Sequence, residues 1–318
     1  MEQGNKTWES EFILLGLSNQ RGIQEDMFVL FLTMYLVTLA GNLAIVTVII
    51  IDSHLHTPMY YFLSHLAFLD ICYTTTIIPQ MLASFLVEHK TISFAGCVLQ
   101  MFISLFLGGV EFILLAVMAY DRYVAICHPL RYANIMSNHL CAWMAAGSWL
   151  SGSLNAVVQT AFTLQLPFCG INAINHFGCE ILTVQQLTCP NSSVNDVTML
   201  VAGVLILLIP FFLVMVSYIH ILSAILQIRT AEGRRKAFST CTAHLTVVTL
   251  CYGTAIFAYL RPRSYYSPQQ GKMISLFYCV VTPMLNPLIY SLRNQEVKGA
   301  LIKAMGRKSL LNKHTSHH

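Results

Sequence analysis

Charged residues are scarce in this chain. Asp, Glu, Lys and Arg make up 10% of its 318 residues, whereas 56% of the residues are apolar. A soluble domain normally carries about 25% charged residues, because these side chains cover its surface. The shortage of charge excludes an ordinary soluble fold and makes a lipid bilayer the expected solvent.

Five long stretches contain no charged residue at all: Met27–Ile51, Leu140–Leu166, Val197–Ile228, Ala237–Leu260 and Met273–Leu292. Each reaches the ~20 residues that a helix needs to cross ~30 Å of hydrocarbon. Two further stretches, Met59–Val87 and Thr91–Tyr120, are as apolar but hold one acid each, Asp70 and Glu111. The sequence therefore predicts an all-α membrane protein, a bundle of seven transmembrane helices.

A removable signal peptide is not expected, since the first 24 residues hold only one short apolar run, Phe12–Leu17, with acids on both sides. Seven spans put the two ends of the chain on opposite sides of the membrane. With the N-terminus outside, twelve of the 18 basic residues lie inside, as the positive-inside rule prefers. We expect an extracellular tail (1–24), a bundle (25–292) and a cytoplasmic segment (293–318) in the plasma membrane.

Two kinds of residue agree with this orientation. The glycosylation sequons at Asn5 and Asn191 both fall on the predicted outside, where they can be used. Four cysteines also fall there, in oxidising surroundings: Cys97, Cys169, Cys179 and Cys189. Three pairings of four cysteines are possible, and the spacing alone leaves all three open.

Two acids share a depth near the membrane midplane. Asp70 and Glu111 each lie eleven residues from the inner end of their span, about 16 Å into the membrane at 1.5 Å per residue. Two carboxylates cannot both stay ionised there without help, so they share protons or hold a cation. Asn42 and Asn286 could add oxygen ligands for sodium. The alternative is a protonated, hydrogen-bonded packing pair.

The third span ends in the sequence MAYDRYVAICHPL, residues 118–130, which contains Asp121, Arg122 and Tyr123. An arginine beside an acid at the membrane edge can be held in a local ion pair or released to a partner, which gives a two-state device. The alternative is an arginine that reaches toward the headgroups with its counter-ion. The position, at the inner end of the third of seven spans, favours the switch.

This stretch resembles the inner end of the third helix in rhodopsin-like G-protein-coupled receptors, in the extended form MAYDRYVAICHPLRY of tetrapod-type (class II) odorant receptors. Other stretches similar to that family follow in order: Gly41-Asn42, LHTPMYYFLS at 55–64, Ser217-Tyr218, KAFSTCTAHL at 236–245 and PMLNPLIYSLRN at 283–294. The resemblance covers nearly the whole chain. It implies a receptor for small volatile odorants that activates a stimulatory olfactory G protein and raises cAMP.

The resemblance also implies residue roles. Arg122 would contact the G protein, Tyr218 and Tyr290 would rearrange toward it, and Asp70 with Glu111 would form a sodium site. It favours the disulfides Cys97–Cys179 and Cys169–Cys189. After the seventh span, the apolar spacing in Gln295–Met305 predicts a short amphipathic eighth helix on the inner leaflet.

A ligand from outside would meet the outer halves of spans three, five, six and seven. The expected lining is Met101 or Gln100, Ser104, Leu105, Gly108, Gly109, Met199, Ala202, Gly203, Ile206, Tyr252, Ala255, Ile256, Tyr259, Leu276 and Cys279. Such a lining suits a small, largely apolar molecule held by one or two hydrogen bonds. The outer half of span three has no acid, which argues against an amine ligand. No lysine lies within span seven, which argues against a retinal Schiff base.

Other functions remain as alternatives. A cation-coupled transporter would use Asp70 and Glu111 as relay sites, but the odd span number and the missing inverted repeat argue against it. A lipid or peptide receptor of the same fold is the second alternative. No catalytic arrangement points to an enzyme, and no nucleic-acid partner is expected. Basic residues at the inner face would also contact membrane lipid.

Overall fold

Seven long helices cross the molecule, as the sequence predicts. The computed structural model describes residues 11–18, 20–87, 89–169, 172–189, 193–259 and 267–315. The helices are α1 (Arg21–Ile51), α2 (Pro58–Leu86), α3 (Phe94–Cys127), α4 (Asn138–Gln165), α5 (Ser193–Ala202 continued by Gly203–Leu208 and Ile209–Leu226), α6 (Ala231–Tyr259) and α7 (Pro268–Leu276 continued by Phe277–Val281 and Thr282–Arg293). An eighth helix, α8 (Gln295–Thr315), follows α7.

The helix α4 differs from the other six in its composition. Those six are long and apolar enough to be recognised as membrane spans by hydropathy. The 28 residues of α4 include no charged residue, but serines, asparagines, threonines and glutamines dilute its apolar character. Its buried residues include Ser148, Gln159, Thr160 and Thr163. Polar side chains on a membrane helix normally face the protein interior, so these four side chains face the inside of the bundle.

Two helices widen just before a proline. The segment Gly203–Leu208 precedes Pro210 in α5, and Phe277–Val281 precedes Pro283 in α7; both take the wider π form. Proline has no backbone N–H and removes the hydrogen bond to the residue four positions earlier, which falls within each widened segment. The prolines that the sequence places in these spans therefore mark local departures from a regular α-helix.

A small sheet closes one end of the bundle. The strand β1 (Glu11–Leu14) lies between β2 (Thr91–Ser93), to which it is antiparallel, and β3 (Ala173–Ile174), to which it is parallel. Phe12 and Leu14 are buried and their neighbours are exposed, the alternation of a half-buried strand. Phe12 packs against the rings of Phe94 and Phe168. The N-terminal segment is thus part of the fold, so its removal would disturb the sheet as well as any peptide contact.

Two lysines fasten this segment to the bundle. The Lys90 ammonium donates to the carbonyl of Ser18 at 2.9 Å, and the Lys272 ammonium of α7 donates to the carbonyl of Gly16 at 2.7 Å. Burial lowers the pKa of Lys90 from its ordinary value. Gly16 adopts φ of +65°, a left-handed conformation that glycine takes without strain, and the chain turns there toward α1.

Both expected disulfides are confirmed. Cys97 at the start of α3 pairs with Cys179 of the loop between α4 and α5, and Cys169 pairs with Cys189 within that loop. Their Cα atoms lie 5.2 and 5.0 Å apart, the usual separation for a disulfide. We call this face the disulfide end and the opposite face, with Arg122, the basic end. The sequons at Asn5 and Asn191 lie outside the described residues.

The helix α8 begins at Gln295, as expected from the sequence, and extends further, to Thr315. Val297 and Ala300 are buried against the bundle. The hydroxyl of Tyr60 in α2 donates to Glu296 at 2.6 Å and to Asn294 at 3.2 Å. These contacts fix the start of α8 against α2 at the basic end.

Candidate ligand and signalling sites

Predicted ligand residues from three helices meet at the disulfide end. Met101 and Leu105 of α3, Met199 of α5 and Tyr259 of α6 share one apolar cluster, which the Cys97–Cys179 disulfide closes from the loop side. Met101 is 1% exposed. The side chains present an apolar surface with one phenol, as the sequence indicates for a small apolar ligand.

The floor of this region is formed by Tyr252 of α6. Its ring is fully buried and packs against Phe112 and Phe211 at centroid distances of 5.2 and 5.4 Å. Its hydroxyl donates to the carbonyl of Phe112 at 2.5 Å. Because that proton is engaged, Tyr252 would offer a ligand its oxygen as an acceptor. Ala255 lies buried one turn away, and Ile256 is half-buried beside it.

The glycines proposed for the ligand site differ in their surroundings. A Cβ atom added at Gly108 or Gly203 would have no described atom within 4 Å beyond its chain neighbours and the nearby backbone of its own helix. A Cβ atom at Gly109 would lie 3.2 Å from the Cα of Gly152 in α4 and 3.7 Å from Ile206. Gly109 therefore allows α3 and α4 to pack closely, while Gly108 and Gly203 leave open space. Ala202, half-buried, immediately precedes the widened segment of α5.

Cys279 of α7 lies beside a buried carboxylate. Glu180, the residue after the disulfide-bonded Cys179, accepts hydrogen bonds from Ser275 at 2.9 Å, from Tyr278, and from the Cys279 thiol at 3.6 Å. Leu276, between them in sequence, packs instead in the cluster near α1 and α2. The loop thus brings an acid to the disulfide end that span three does not supply. Its oxygens are engaged by three donors from α7.

The midplane acids lie in a hydrogen-bonded environment. Asp70 is buried and accepts a hydrogen bond from the Asn286 amide at 2.9 Å, and Glu111 accepts one from the Cys251 thiol at 3.1 Å. Asn42 donates instead to backbone carbonyls, those of Thr38 and Pro283, at 3.0 and 3.2 Å. The charges of Asp70 and Glu111 repel each other.

Within the described part of the chain, the buried side-chain oxygen of Asn286 has no hydrogen-bond partner. Two carboxylates and an amide oxygen are the hard donors that sodium prefers, and an unpartnered buried oxygen calls for a cation or a donor. The residues present therefore fit a sodium ion held by Asp70, Glu111 and Asn286.

At the basic end a cavity of about 1000 Å³ opens between the helices. Its lining includes Arg122 of α3, Tyr60 of α2, Arg235 of α6, Arg293 of α7 and Glu296 of α8. The Nε atom of Arg122 is buried and has no hydrogen-bond partner among the residues that the structure describes. A buried guanidinium N–H without an acceptor is costly, so Arg122 is poised to take one.

The neighbour of Arg122 has another partner. The Asp121 carboxylate accepts a hydrogen bond at 2.7 Å from the hydroxyl of Tyr132, in the short helix Tyr132–Ile135. Burial and the adjacent Asp121 carboxylate raise the pKa of Tyr132, so the phenol stays protonated and keeps donating. Tyr123 contacts His128 and His220.

Three helices are joined beside Arg122. The hydroxyl of Tyr218 in α5 bonds Nδ1 of His244 in α6 at 2.6 Å, and Nε2 of His244 bonds the Leu115 carbonyl of α3 at 3.1 Å. A carbonyl can only accept, so Nε2 carries the proton and Nδ1 accepts from Tyr218. Tyr290 of α7 is fully buried, and its hydroxyl has no hydrogen-bond partner.

Known proteins resemble this chain along nearly its full length. The family model described as olfactory receptor matches residues 31–308. The chain belongs to the olfactory receptor family. It is 55% identical over 307 residues to olfactory receptor-like protein OLF3 of Canis lupus familiaris, a match covering 96% of this chain and 97% of that protein. Human olfactory receptor 2F1 is also 55% identical, over 309 residues, with 97% of this chain and 98% of the relative covered.

This olfactory receptor is thus a multi-pass membrane protein of the rhodopsin-like class and not an enzyme. Sequence reasoning did not assign roles to Glu180, His244, Tyr132 or Gln159. Glu180 follows a predicted disulfide cysteine, and that position was a usable signal. His244 lies in a quoted motif, but its partners on α3 and α5 depend on how α6 is rotated.

Proposed function

We propose that this olfactory receptor binds small, largely apolar volatile molecules at the disulfide end and activates a stimulatory olfactory G protein at the basic end. The observation that carries the proposal is the cavity of about 1000 Å³ that Arg122 lines. The buried Nε atom of Arg122 has no acceptor among the described residues. A C-terminal segment of a G-protein α subunit would supply carbonyl acceptors there.

The two ends support an extracellular disulfide face and a cytoplasmic basic face. Disulfides persist in oxidising surroundings, and both pairs lie at the same end. Arg122, Arg235 and Arg293 line the opposite cavity, where the positive-inside rule places basic residues. A volatile ligand would then enter from outside while the G protein binds inside.

The proposed signal passes through α6. Its outer half carries Tyr252 and Tyr259 of the ligand region, and its inner half carries His244, which ties α6 to α3 and α5. Ligand contacts that favour a displaced α6 would break the His244 bonds and widen the cavity at Arg122. A ligand shifts this equilibrium only as far as it binds the displaced form more tightly.

We further propose that Asp70, Glu111 and Asn286 hold a sodium ion in the inactive form. The ion would neutralise the two carboxylates at the midplane, where their charges repel. A change in the packing of α7 around Asn286 would then change the affinity for the ion. By the same linkage, bound sodium would favour one packing of α7 over the other.

The test is a cAMP response in cells that express this chain with an olfactory G-protein α subunit and receive a panel of small volatiles. The response should be lost in Arg122→Ala and kept in Arg131→Ala, which changes an exposed arginine at the same end. Silence across the panel from protein shown to be at the cell surface would contradict the odorant assignment. A response unaffected by Arg122→Ala would contradict the proposed coupling site.

A further inference from the structure

One face of α4 carries a group of buried polar atoms that lack partners. Gln159, Thr160 and Thr163 are 2%, 7% and 0% exposed. Within the described chain, no hydrogen-bond partner meets the side-chain oxygen of any of the three. Since these residues lie within four positions of one another, they share one turn of the helix. We call these three residues the α4 polar cluster.

The two threonines differ from others in the membrane helices. Thr38, Thr74 and Thr246 donate to the carbonyl four residues earlier, at 2.7–2.8 Å. That local bond satisfies a threonine hydroxyl without help from a neighbour. Thr160 and Thr163 do not make it, although α4 is regular there. Their hydroxyls are therefore available to something other than their own helix.

Helix packing turns Gln159 toward α3. The antiparallel helices α3 and α4 pack closely at Gly109 and Gly152, where a Cβ atom added at Gly109 would lie 3.2 Å from the Gly152 backbone. Gln159 and Thr163 lie seven and eleven residues from Gly152 toward the disulfide end, so at about 100° per residue both stay within about 20° of the face that meets α3. The predicted ligand residue Ser104 lies five residues from Gly109, which turns it about 140° away from α4.

The level of Gln159 belongs to the predicted ligand region. The Gln159 amide donates to the carbonyl of Thr198 in α5 at 3.1 Å. Thr198 precedes Met199, a residue of the apolar cluster at the disulfide end. Helices α3, α4 and α5 therefore surround a polar edge beside an apolar ligand region.

The chemistry of the cluster selects a hydroxyl group. Because the nitrogen of the Gln159 amide donates to a carbonyl, its oxygen is fixed on the other side and can only accept. It needs an incoming O–H or N–H. The hydroxyls of Thr160 and Thr163 can donate to the same incoming group. The three side chains carry no formal charge, which favours a neutral group over a carboxylate or an ammonium.

We propose that the α4 polar cluster is a ligand subsite that recognises the hydroxyl of an aliphatic alcohol, whose chain occupies the apolar region near Met101 and Met199. This inference rests on the proposed odorant-binding function and adds the ligand class. The side-chain oxygen of Gln159 accepts a hydrogen bond from the alcohol hydroxyl, and a threonine hydroxyl donates to the alcohol oxygen. A methyl ether of the same chain can accept but cannot donate, so the Gln159 oxygen stays unpaired in its complex.

The experiment compares linear alcohols of six to ten carbons with their methyl ethers in the cAMP assay. The wild type should respond to an alcohol at roughly tenfold lower concentration than to its ether, the value of about one buried hydrogen bond. Gln159→Met and Thr163→Val should each reduce this preference while the ether response is kept. Thr47→Val, at an exposed threonine of α1 that bonds its own helix, should leave the preference unchanged.

Retention of the tenfold preference in both Gln159→Met and Thr163→Val would overturn the assignment and indicate that buried water satisfies the cluster. Responses to other volatiles with no alcohol preference in the wild type would overturn it too, while leaving the odorant function in place. Silence toward every volatile from protein at the cell surface would remove the odorant function and, with it, the subsite. The ether response of each variant separates lost recognition from lost folding.

Discussion

The hydroxyl of Tyr218 lies 2.6 Å from Nδ1 of His244, and the two rings stack with their centroids 5.7 Å apart. The pair joins α5 to α6, and the second nitrogen of His244 joins both to the Leu115 carbonyl of α3. All three positions lie inside the bundle, close to Arg122. The arrangement holds the basic end of α6 against α3 in the form described here.

Removing the Tyr218 hydroxyl should raise ligand-independent signalling. A buried hydrogen bond contributes about 1 kcal/mol, so Tyr218→Phe should shift the balance toward a displaced α6 by roughly fivefold. Basal cAMP per receptor at the surface measures this shift. Tyr120→Phe, at an exposed tyrosine of α3, is the matched control. Basal signalling equal in the two variants would show that the bond does not restrain α6.

Sodium should affect ligand potency through the midplane acids. In membranes from expressing cells, sodium should weaken activation by a volatile, compared with choline at equal ionic strength. Asp70→Asn should abolish this difference, because the variant lacks the carboxylate that Asn286 bonds. Asp52→Asn, outside the helices near the basic end, should retain it. A sodium effect of the same size in Asp70→Asn would exclude this site.

At Gly152, where α4 packs against α3, no side chain larger than the hydrogen of glycine should fit. A Cβ atom at Gly152 would lie 2.5 Å from the Val110 side chain, 2.8 Å from its backbone nitrogen and 2.9 Å from the Phe106 carbonyl. Because backbone cannot move aside locally, Gly152→Ala should destabilise the receptor by about 1–3 kcal/mol. Gly147→Ala, on the same helix but with nothing within 4 Å, should be neutral or slightly stabilising. Thermal unfolding of the purified variants measures both, and equal stability would contradict the close packing.

The two disulfides should contribute unequally to the stability of the folded receptor. Cys97–Cys179 closes a separation of 82 residues and Cys169–Cys189 one of 20, for which chain entropy gives about 4.5 and 3.3 kcal/mol. Replacing the first pair by serines should therefore reduce the amount of receptor at the cell surface more than replacing the second. Cys127→Ser, at a free cysteine, controls for the substitution itself. A larger loss from the second pair would contradict this ranking.

Acid should loosen the loop between α4 and α5. His176 is fully buried, and this burial lowers its pKa below the ordinary 6.5. The negative charge of Glu180 acts to raise the pKa of His176, and the positive charge of Lys272 acts to lower it further. The folded state therefore prefers the neutral imidazole. The contribution of the neutral His176 side chain to the free energy of unfolding is complete above pH 6.5. It is lost as the pH falls below that value toward the pKa that His176 has in the folded state.

The melting temperature of the wild type should thus fall more between pH 7.5 and 5.5 than that of His176→Gln. His139→Gln, at an exposed histidine of α4, should behave as the wild type does. The same pH dependence in His176→Gln as in the wild type would show that His176 does not titrate with unfolding.

Much of the architecture could be predicted because it depends on length and composition. Apolar stretches of twenty or more residues with at most one charged residue set the number of spans, and residue spacing sets the depth of Asp70 and Glu111. The start of α8 at Gln295 follows from local apolar spacing. The two disulfide pairings needed the family resemblance, because spacing alone left three connectivities open.

Hydrogen-bond partners, in contrast, depend on helix rotation and loop path. The sequence places Asp121 beside Arg122, but the fold gives its hydrogen bond to Tyr132. The loop pinned at Cys179 delivers Glu180 to α7, and β1 pairs with two loops that are distant in sequence.

The sequence by itself determined a bundle of seven membrane helices, because burial in lipid is a property of each segment alone. Only the tertiary structure decided which polar groups meet and which, like the side-chain oxygen of Gln159, have no partner among the described residues, because that depends on how neighbouring helices pack.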